Sequence, residues 1–252
     1  MAMFYENSAD MIIGWFSCGV TSAVACKIAL QMYKDVHLYY IDTGSQEDDS
    51  MRFLHECEEW YGQKIKILRS EKYTGHFEVI EGVRFLNGPY GAACTKLLKK
   101  DVRYKLEDEL GEWDAQVWGF DYCEQNRAKR MSEQYPAMKP LYPLIEQELT
   151  KENCAYMLAM RGIELPKMYK LGYRNNNCIG CVKGGMGYWN KIRIDFPQHF
   201  DRMAKLERDI KHSCLKESDG RPLFLDELAP NRGDFPNEIM PECGLFCPLE
   251  LV

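Results

Sequence analysis

The chain has 252 residues, of which 46% are hydrophobic and 28% are charged, and 32 basic against 38 acidic side chains give a formal net charge of −6. This balance is typical of a folded protein and excludes a disordered or fibrous chain, while the negative charge excludes a broad cationic surface for nucleic acid or an anionic membrane. No apolar run approaches the roughly 18 residues of a membrane helix, and the chain start resembles no secretion signal. We therefore expect a cytoplasmic protein with no membrane partner.

Strand and helix patterns alternate over the first part of the chain. Strands are predicted at residues 11–16, 36–41, 64–68 and 113–120, and helices at residues 20–33, 47–61 and 95–110. This alternation predicts an α/β fold, in which helices cover both faces of a twisted parallel sheet.

The pattern changes after about residue 148. Helices are predicted from Thr150 to about Arg161, from Pro166 onwards and from Pro197 to His212, and residues 174–190 read as an ordered loop rich in Asn, Gly and Cys. We expect a nucleotide-binding domain over residues 1–148 and a helical, cysteine-bearing region over residues 149–252.

Ligands of open parallel sheets bind beyond the carboxyl ends of the strands, and three such ends are chemically distinctive here. Residues 17–22 (SCGVTS) form a small-residue turn before a helix, whose N–H groups and dipole suit a phosphate. Residues 42–44 (DTG) offer a carboxylate and a hydroxyl for a ribose or an adenine edge. Glu124 and Arg127 follow the strand that ends near Gly119, and Arg127 suits an anion. The structural alternatives are a capped helix, an ordinary turn and a surface ion pair.

The chain contains 11 cysteines. A disulfide framework is not expected, because the cytosol keeps thiols reduced. Four cysteines stand alone in helix-like segments and are predicted to be small buried hydrophobic side chains: Cys26, Cys57, Cys154 and Cys214. The pairs Cys178 and Cys181, and Cys243 and Cys247, have spacings that fit zinc or an iron–sulfur cluster. Free thiols with a redox or structural role are the third alternative.

In their order along the chain, these motifs resemble those of the PP-loop ATP pyrophosphatases, also called adenine nucleotide alpha hydrolases, and within them the phosphoadenylyl sulfate (PAPS) reductase family. Residues 17–22 are similar to the S-G-G-x-D-S loop, residues 42–44 to D-T-G, and residues 119–127 to G-x4-E-x2-R. Residues 94–99 (CTKLLK) resemble C-T-x-x-L-K, residues 178–181 match C-x-x-C, and residues 242–245 (ECGL) resemble the E-C-G-L-H tail that carries the reductase nucleophile.

The sequence departs from these patterns at four positions. Cys18 replaces a loop glycine and Thr21 replaces the acidic residue of the same loop, where Mg²⁺ and pyrophosphate are handled. Ala93 stands where cluster-bearing reductases have a second cysteine, and Phe246 replaces the histidine of the tail.

The resemblance implies a site for an adenine nucleotide, either ATP or an adenylyl sulfate. The residues expected to bind it are Ser17, Cys18, Gly19, Thr21, Ser22, Asp42, Thr43, Gly44, Lys96, Lys99, Gly119, Glu124 and Arg127. For an iron–sulfur cluster, the resemblance implies Cys94, Cys178 and Cys181 as ligands, and Cys243 or Cys247 has to supply the fourth because of Ala93. In the zinc alternative, both cysteine pairs close one structural site.

The implied activity is the reduction of a sulfonucleotide, with Cys243 as the nucleophile, Cys247 as the resolving thiol and a thiol reductant such as thioredoxin as partner. The first alternative is an ATP-dependent adenylating enzyme that modifies or thiolates an acceptor such as a nucleic acid base, in which Lys96, Lys99 and Arg127 neutralise developing charge. The second is a non-catalytic nucleotide-binding or redox-sensing protein, suggested by Cys18 and Thr21. We expect a homo-oligomer.

Overall fold

The computed structural model describes residues 11–88 and 91–238 of the chain. These residues divide into two compact units that alternate along the sequence. The first unit comprises residues 11–41, 47–68 and 105–176, and the second comprises residues 42–46, 69–88, 91–104 and 177–238. Residue 148, where a domain boundary is predicted, lies within the first unit, and that boundary stays a prediction.

A five-stranded sheet forms the centre of the first unit, with the strand order β3-β2-β1-β6-β7 and every pair parallel. Its strands are β1 (Ile12–Phe16), β2 (Val36–Ile41), β3 (Lys66–Leu68), β6 (Ala115–Val117) and β7 (Pro140–Leu141). In the register of the sheet, Ile12 of β1 is paired with Val36 on one side and Ala115 on the other. β1 is buried along its whole length, as expected for a parallel strand covered on both faces. The predicted α/β fold is confirmed.

The strand order reverses between β1 and β6. Strands β2 and β3 lie on one side of β1, and β6 and β7 lie on the other. Such a reversal opens a crevice beyond the carboxyl ends of the two central strands, and this crevice is the usual ligand site of open α/β sheets. The predicted segments that begin at Ser17 and at Gly119 follow these two strands.

Helices of the first unit connect and cover the strands. They are α1 (Val20–Met32), α2 (Asp49–Tyr61), α6 (Gln125–Gln134), α7 (Pro143–Glu146), α8 (Lys151–Met160) and α9 (Lys167–Lys170), with short 3-10 turns at Tyr122–Glu124 and Pro136–Met138. Thr150 caps α8 as predicted, because its side chain accepts a hydrogen bond from the N–H of Asn153. In the described parts of the chain, no helix has the length and apolar character needed to cross a membrane.

The core of the first unit includes three of the four lone cysteines. Cys26, Cys57 and Cys154 are each fully buried among apolar side chains, and burial raises the pKa of the Cys57 and Cys154 thiols to about 12. They are inert hydrophobic groups, as predicted. Cys214, in the second unit, is only half-buried, so its prediction is met in part.

The second unit is mainly helical. Its elements are α3 (His76–Val83), the antiparallel pair β4 (Asn87–Gly88) and β5 (Gly91–Ala92), α4 (Ala93–Thr95), a π-helical turn (Lys96–Lys100), α10 (Met186–Asp195), α11 (Pro197–Ile210), the antiparallel pair β8 (Leu215–Lys216) and β9 (Pro222–Leu223), and a 3-10 turn (Leu225–Glu227). Helix α5 (Asp101–Leu110) begins in the second unit and ends in the first.

The prediction of a loop over residues 174–190 is wrong at its end, because α10 begins at Met186. The sequence pattern did not indicate this helix because the segment contains glycines. Gly187 belongs to its first turn, where a β-carbon would lie 2.4 Å from the backbone nitrogen of Phe235. Close packing therefore requires glycine there despite its poor helix propensity.

Candidate functional site

The loop between β1 and α1 is held in shape by Ser22. The Ser22 hydroxyl accepts a hydrogen bond from the N–H of Ser17 at 3.0 Å and donates one to the C=O of Gly19 at 3.0 Å. Its Oγ also lies 2.8 Å from Oγ of Ser17. Ser22 is buried, whereas Ser17 is exposed at the mouth of the loop.

The N-terminus of α1 has no capping side chain at its N-cap residue, Gly19. The N–H of Val20 donates to the Tyr169 hydroxyl at 3.4 Å. The first N–H groups of a helix have no intrahelical acceptor, and the helix dipole adds partial positive charge at that end. The loop and the helix end together form an arrangement that suits a phosphate.

Cys18 adopts a glycine-like backbone conformation. Its φ of 55° lies in the left-handed region, which glycine populates most readily. Its buried Sγ donates to the C=O of Ser50 at 3.5 Å. Asn176 Nδ2 donates to the C=O of Cys18 at 3.0 Å and to Oγ of Ser50 at 2.9 Å. Residue 18 therefore has a glycine-like conformation at a position where the motif it resembles has glycine, and neighbouring side chains hold it there.

Gly119 brings the end of β6 against the first turn of α1. A β-carbon on residue 119 would lie 2.5 Å from Cα and 2.6 Å from the backbone nitrogen of Ser22. Real side chains do not approach backbone atoms so closely, so only glycine permits this contact. It places the Gly119 backbone beside the loop at residues 17–22, and a role for Gly119 in nucleotide binding stays a prediction.

Glu124 and Arg127 form an ion pair, which is the structural alternative to an anion-binding role for Arg127. Nη1 of Arg127 donates to Oε1 of Glu124 at 2.6 Å, and the guanidinium carbon lies 4.2 Å from the ring centre of Phe120. Oε2 of Glu124 accepts the N–H of Asp121 at 3.1 Å, which anchors the pair at the start of the helical segment. The guanidinium is thus held beyond the carboxyl end of β6, and its role in binding an anion stays a prediction.

Tyr169 lies beside the loop at residues 17–22, and Lys151 lies next to the Tyr169 ring. The Tyr169 hydroxyl oxygen is 3.4 Å from the backbone nitrogen of Val20. Nζ of Lys151 donates to Oδ1 of Asn175 at 2.6 Å and to the C=O of Arg174, and it lies 5.3 Å from the ring centre of Tyr169. Neither residue belongs to a local motif, so no sequence signal marked them.

Asp42 and Gly44, in the second unit, form a closed turn. Oδ1 of Asp42 accepts the N–H of Gly44 at 2.8 Å, and Oδ2 accepts hydrogen bonds from Nη2 and Nε of Arg69 at 2.5 and 2.9 Å. Gly44 has a φ of 64°, and a β-carbon there would lie 1.9 Å from the C=O oxygen of Thr74. The Asp42 carboxylate is therefore already engaged by Arg69 and the turn, and its role as a nucleotide ligand stays a prediction.

Thr43 connects this turn to the C-x-x-C segment. Its Oγ1 donates to Oε1 of Gln46 at 2.7 Å and lies 3.2 Å from Sγ of Cys178. The backbone N–H of Ile179 also donates to the C=O of Ser45 at 2.9 Å. The D-T-G turn and the C-x-x-C segment are thus neighbours within the second unit.

The two predicted lysines lie on the π-helical turn. Nζ of Lys96 is 3.1 Å from both carboxylate oxygens of Asp101, and both side chains are substantially exposed, which makes this contact a surface ion pair. Lys99 is half-buried. Their roles toward a nucleotide stay predictions.

The described cysteines do not by themselves fit a metal site. Cys94 and Cys178 are half-buried and Cys181 is buried. Within residues 11–88 and 91–238, no three or more His, Cys, Asp or Glu side chains are arranged to hold a metal ion. Cys243 and Cys247, which complete both predicted ligand sets, lie outside the described residues, so the cluster and the zinc site both stay predictions.

Comparison with known proteins assigns the family. The phosphoadenosine phosphosulfate reductase domain matches residues 12–184. The chain therefore belongs to this PAPS reductase-like family of the adenine nucleotide alpha hydrolase superfamily, as its motifs predict.

Two individual proteins are similar to the chain. An uncharacterized protein of Methanocaldococcus jannaschii is 26% identical over 216 residues, which cover 83% of this chain and 44% of that protein. The chain thus spans less than half the length of this curated relative. The crystal structure of PAPS reductase from Candida auris, a phosphate complex, matches with a TM-score of 0.52 and 15% identity, covering 68% of this chain and 82% of that chain. At this identity the likeness shows the fold alone.

Proposed function

We propose that this protein is an enzyme that binds an adenylyl sulfate and reduces its sulfate group through Cys243. One observation carries the binding half of this proposal: the loop closed by Ser22 and the uncapped N-terminus of α1 lie where the strand order reverses. Family membership supports the choice of an adenine nucleotide. The motif E-C-G-L at residues 242–245 supports the choice of nucleophile.

The phosphate group of the nucleotide binds at the start of α1. The first-turn N–H groups and the helix dipole stabilise its negative charge. Arg127, held by Glu124 beyond β6, supplies a guanidinium for a second anionic group. Gly119, which carries no side chain, lets the end of β6 pack against Ser22 beside this loop.

In the reaction, the Cys243 thiolate attacks the sulfur of the adenylyl sulfate. A bond forms between that sulfur and Sγ of Cys243, the bond from sulfur to the bridging phosphate oxygen breaks, and the nucleotide leaves with the electron pair on its phosphate. A second thiol, from Cys247 or from a reductant of the thioredoxin class, then attacks Sγ of Cys243. Sulfite leaves, the two thiols become a disulfide, and a dithiol reductant returns both to thiols.

The nucleophile and ligand roles of Cys243 exclude one another, because a thiolate that coordinates a metal is not free to attack sulfur. A cluster held by Cys94, Cys178 and Cys181 would therefore take Cys247 as its fourth ligand. The resolving thiol would then come from the reductant. Measurement of iron, acid-labile sulfide and zinc per chain, on protein purified without oxygen, separates this case from free thiols.

The proposal is tested by the release of sulfite from adenylyl sulfate and from its 3′-phosphorylated form, with a dithiol as reductant. We expect Cys243→Ser to abolish turnover and to leave nucleotide binding intact. Cys123→Ser is the matched control, because Cys123 is an exposed thiol with no proposed role, and it should retain full turnover.

Undiminished turnover by Cys243→Ser would reject the proposed nucleophile. The adenylating alternative gives a different product. If the wild-type protein releases pyrophosphate from ATP on addition of an acceptor and releases no sulfite from either sulfonucleotide, the activity is adenylation.

A further inference from the structure

Asn176 contacts the loop at residues 17–22 from a distant part of the chain, within the first unit. We infer that Asn176 is a positioning residue of this loop. It holds Cys18 in the left-handed conformation and thereby keeps the loop in the shape that binds the nucleotide. Asn176 acts through Cys18 and needs no contact of its own with the ligand. The inference rests on the proposed nucleotide site at the start of α1.

Cys18 has a backbone conformation that its own side chain disfavours. Its φ is 55°, and a residue with a β-carbon is strained in this region, whereas glycine is not. The chain turns at this residue from the end of β1 into α1. Within the turned loop, the N–H of Ser17 donates to Oγ of Ser22 at 3.0 Å. Contacts with other residues therefore have to stabilise Cys18 in this conformation.

Three buried residues form a closed ring of hydrogen bonds at this point. Nδ2 of Asn176 donates to the C=O of Cys18 at 3.0 Å and to Oγ of Ser50 at 2.9 Å. Sγ of Cys18 donates to the C=O of Ser50 at 3.5 Å. Cys18, Ser50 and Asn176 are only 0%, 3% and 7% exposed. Loss of the Asn176 amide would therefore remove a donor that water has little access to replace.

The amide of Asn176 acts as a donor. Its Nδ2 makes the two contacts with acceptors, and its Oδ1 is buried with no hydrogen-bond partner among the described residues. A C=O oxygen can only accept, so the contact with Cys18 determines which end of the amide faces the loop. This hydrogen bond fixes the orientation of the peptide group that joins Cys18 to Gly19, the N-cap residue of α1.

The importance of Asn176 should therefore depend on which residue occupies position 18. Cysteine is strained in the left-handed region and needs the hydrogen bond, whereas glycine reaches the same conformation without strain. The substitutions Asn176→Ala and Cys18→Gly should then not be additive: the second should remove most of the effect of the first.

The first readout is hydrogen exchange of the Ser17 N–H in the full chain without ligand, because this N–H donates within the loop. We expect Asn176→Ala to speed the exchange by roughly 5- to 30-fold, the strain of a left-handed non-glycine residue expressed as a ratio. Between Cys18→Gly and the double variant, the exchange should differ by less than about threefold.

The second readout is calorimetric titration with adenylyl sulfate. Asn176→Ala should weaken binding by the same factor of roughly 5 to 30, and the double variant should bind within about threefold of Cys18→Gly. Asn176→Asp keeps the size of the side chain, and its ionised carboxylate cannot donate. It should weaken binding as Asn176→Ala does, and it gives the same comparison if the alanine variant does not fold.

Asn190→Ala is the matched control. Asn190 is a buried asparagine of the second unit, 8% exposed, and its Nδ2 also donates to two acceptors, the C=O groups of Ala229 at 3.0 Å and Arg232 at 2.7 Å. Loss of this amide should lower the stability to urea as Asn176→Ala does. The exchange of the Ser17 N–H and the affinity for adenylyl sulfate should stay at the wild-type values.

The inference would be overturned by unchanged exchange of the Ser17 N–H in Asn176→Ala, or by equal effects of this substitution in the cysteine and glycine backgrounds. An affinity equal to that of a wild type that binds adenylyl sulfate would also overturn it. Because the exchange is measured without ligand, it decides the role of Asn176 in the loop even if the wild type binds no adenylyl sulfate and the proposed function fails.

Discussion

Gly119 packs directly on Ser22, with no space between them for a side chain: a β-carbon on residue 119 would lie 2.5 Å from Cα of Ser22. The contact joins the end of β6 to the first turn of α1. The strand order reverses between β6 and β1, the strand that precedes α1. One glycine thus shapes the crevice in which the proposed function takes place.

Gly119→Ala should therefore destabilise the fold by about 1–3 kcal/mol, since the methyl group has to displace backbone atoms. Urea unfolding measures this change in the free energy of unfolding. Gly162→Ala is the comparison, because a β-carbon there meets no atom within 4 Å and only the positive φ of 71° is strained, at a cost of about 1 kcal/mol. An equal or smaller loss for Gly119→Ala would contradict the packing argument.

Cys18 should tolerate glycine far better than a branched residue. Cys18→Gly relieves the left-handed φ of 55° but loses the buried sulfur, so we expect stability within about 1 kcal/mol of the wild type. Cys18→Val should cost about 2 kcal/mol or more, because β-branched residues are strained in this region. Thermal and urea unfolding of both variants check the order. Equal stability of the two would show that the backbone conformation does not limit residue 18.

Arg127 should matter for anionic substrates and little for stability. We expect Arg127→Gln to raise the KM for an adenylyl sulfate about tenfold or more, as loss of one charge-assisted hydrogen bond implies. Arg130→Gln is the control, because Arg130 is an exposed arginine of the same helix. Steady-state kinetics compare the two variants. A KM that rises equally in both would assign the effect to net charge and not to the position of Arg127.

Glu207 should make the stability depend on pH. Its side chain is fully buried, and burial, together with the charge of Asp226, raises the pKa of this carboxyl above its ordinary value of 4.5, although the N–H groups of Cys214 and Leu225 oppose the shift. A carboxyl with a raised pKa stabilises the fold below the unfolded value, and this contribution is lost as pH rises through the folded pKa.

Glu207→Gln should therefore gain stability relative to the wild type as pH rises from about 4.5 toward neutrality. At any single pH, the difference in the free energy of unfolding between variant and wild type also includes the altered hydrogen bonds of the amide. The quantity to compare is therefore the change of this difference with pH, which urea unfolding at several pH values measures. A difference that is constant with pH, or that falls, would show that the pKa of Glu207 is not raised.

The sheet and the order of the motifs along it could be predicted from the sequence, because the patterns that indicate them lie within short segments of the chain. Buried strands such as β1 and β2 are continuous apolar runs, and the turn that begins at Ser17 has the composition of a phosphate loop. Helix α10 was not predictable, because Gly187 is required by packing against Phe235, a contact between residues far apart in sequence.

The same distinction holds for the site. Ser17 and Ser22 are five residues apart, and their contact follows from the turn. Tyr169 reaches the backbone of Val20 across 149 positions, and no motif encodes such a distance. The engagement of Asp42 by Arg69 likewise depends on the fold of the second unit.

The most direct test of the account is calorimetric titration of the protein with adenylyl sulfate, comparing the wild type with Ser22→Ala and Ser213→Ala. Ser22 holds the loop through its hydroxyl, whereas Ser213 is a buried serine of the other unit whose hydroxyl donates to the C=O of Leu215 at 2.7 Å. We predict that the wild type binds adenylyl sulfate. The affinity of Ser22→Ala should be lower by about tenfold or more, and the affinity of Ser213→Ala should be unchanged. No binding by the wild type, or equal binding by folded Ser22→Ala, would contradict a nucleotide site at the start of α1.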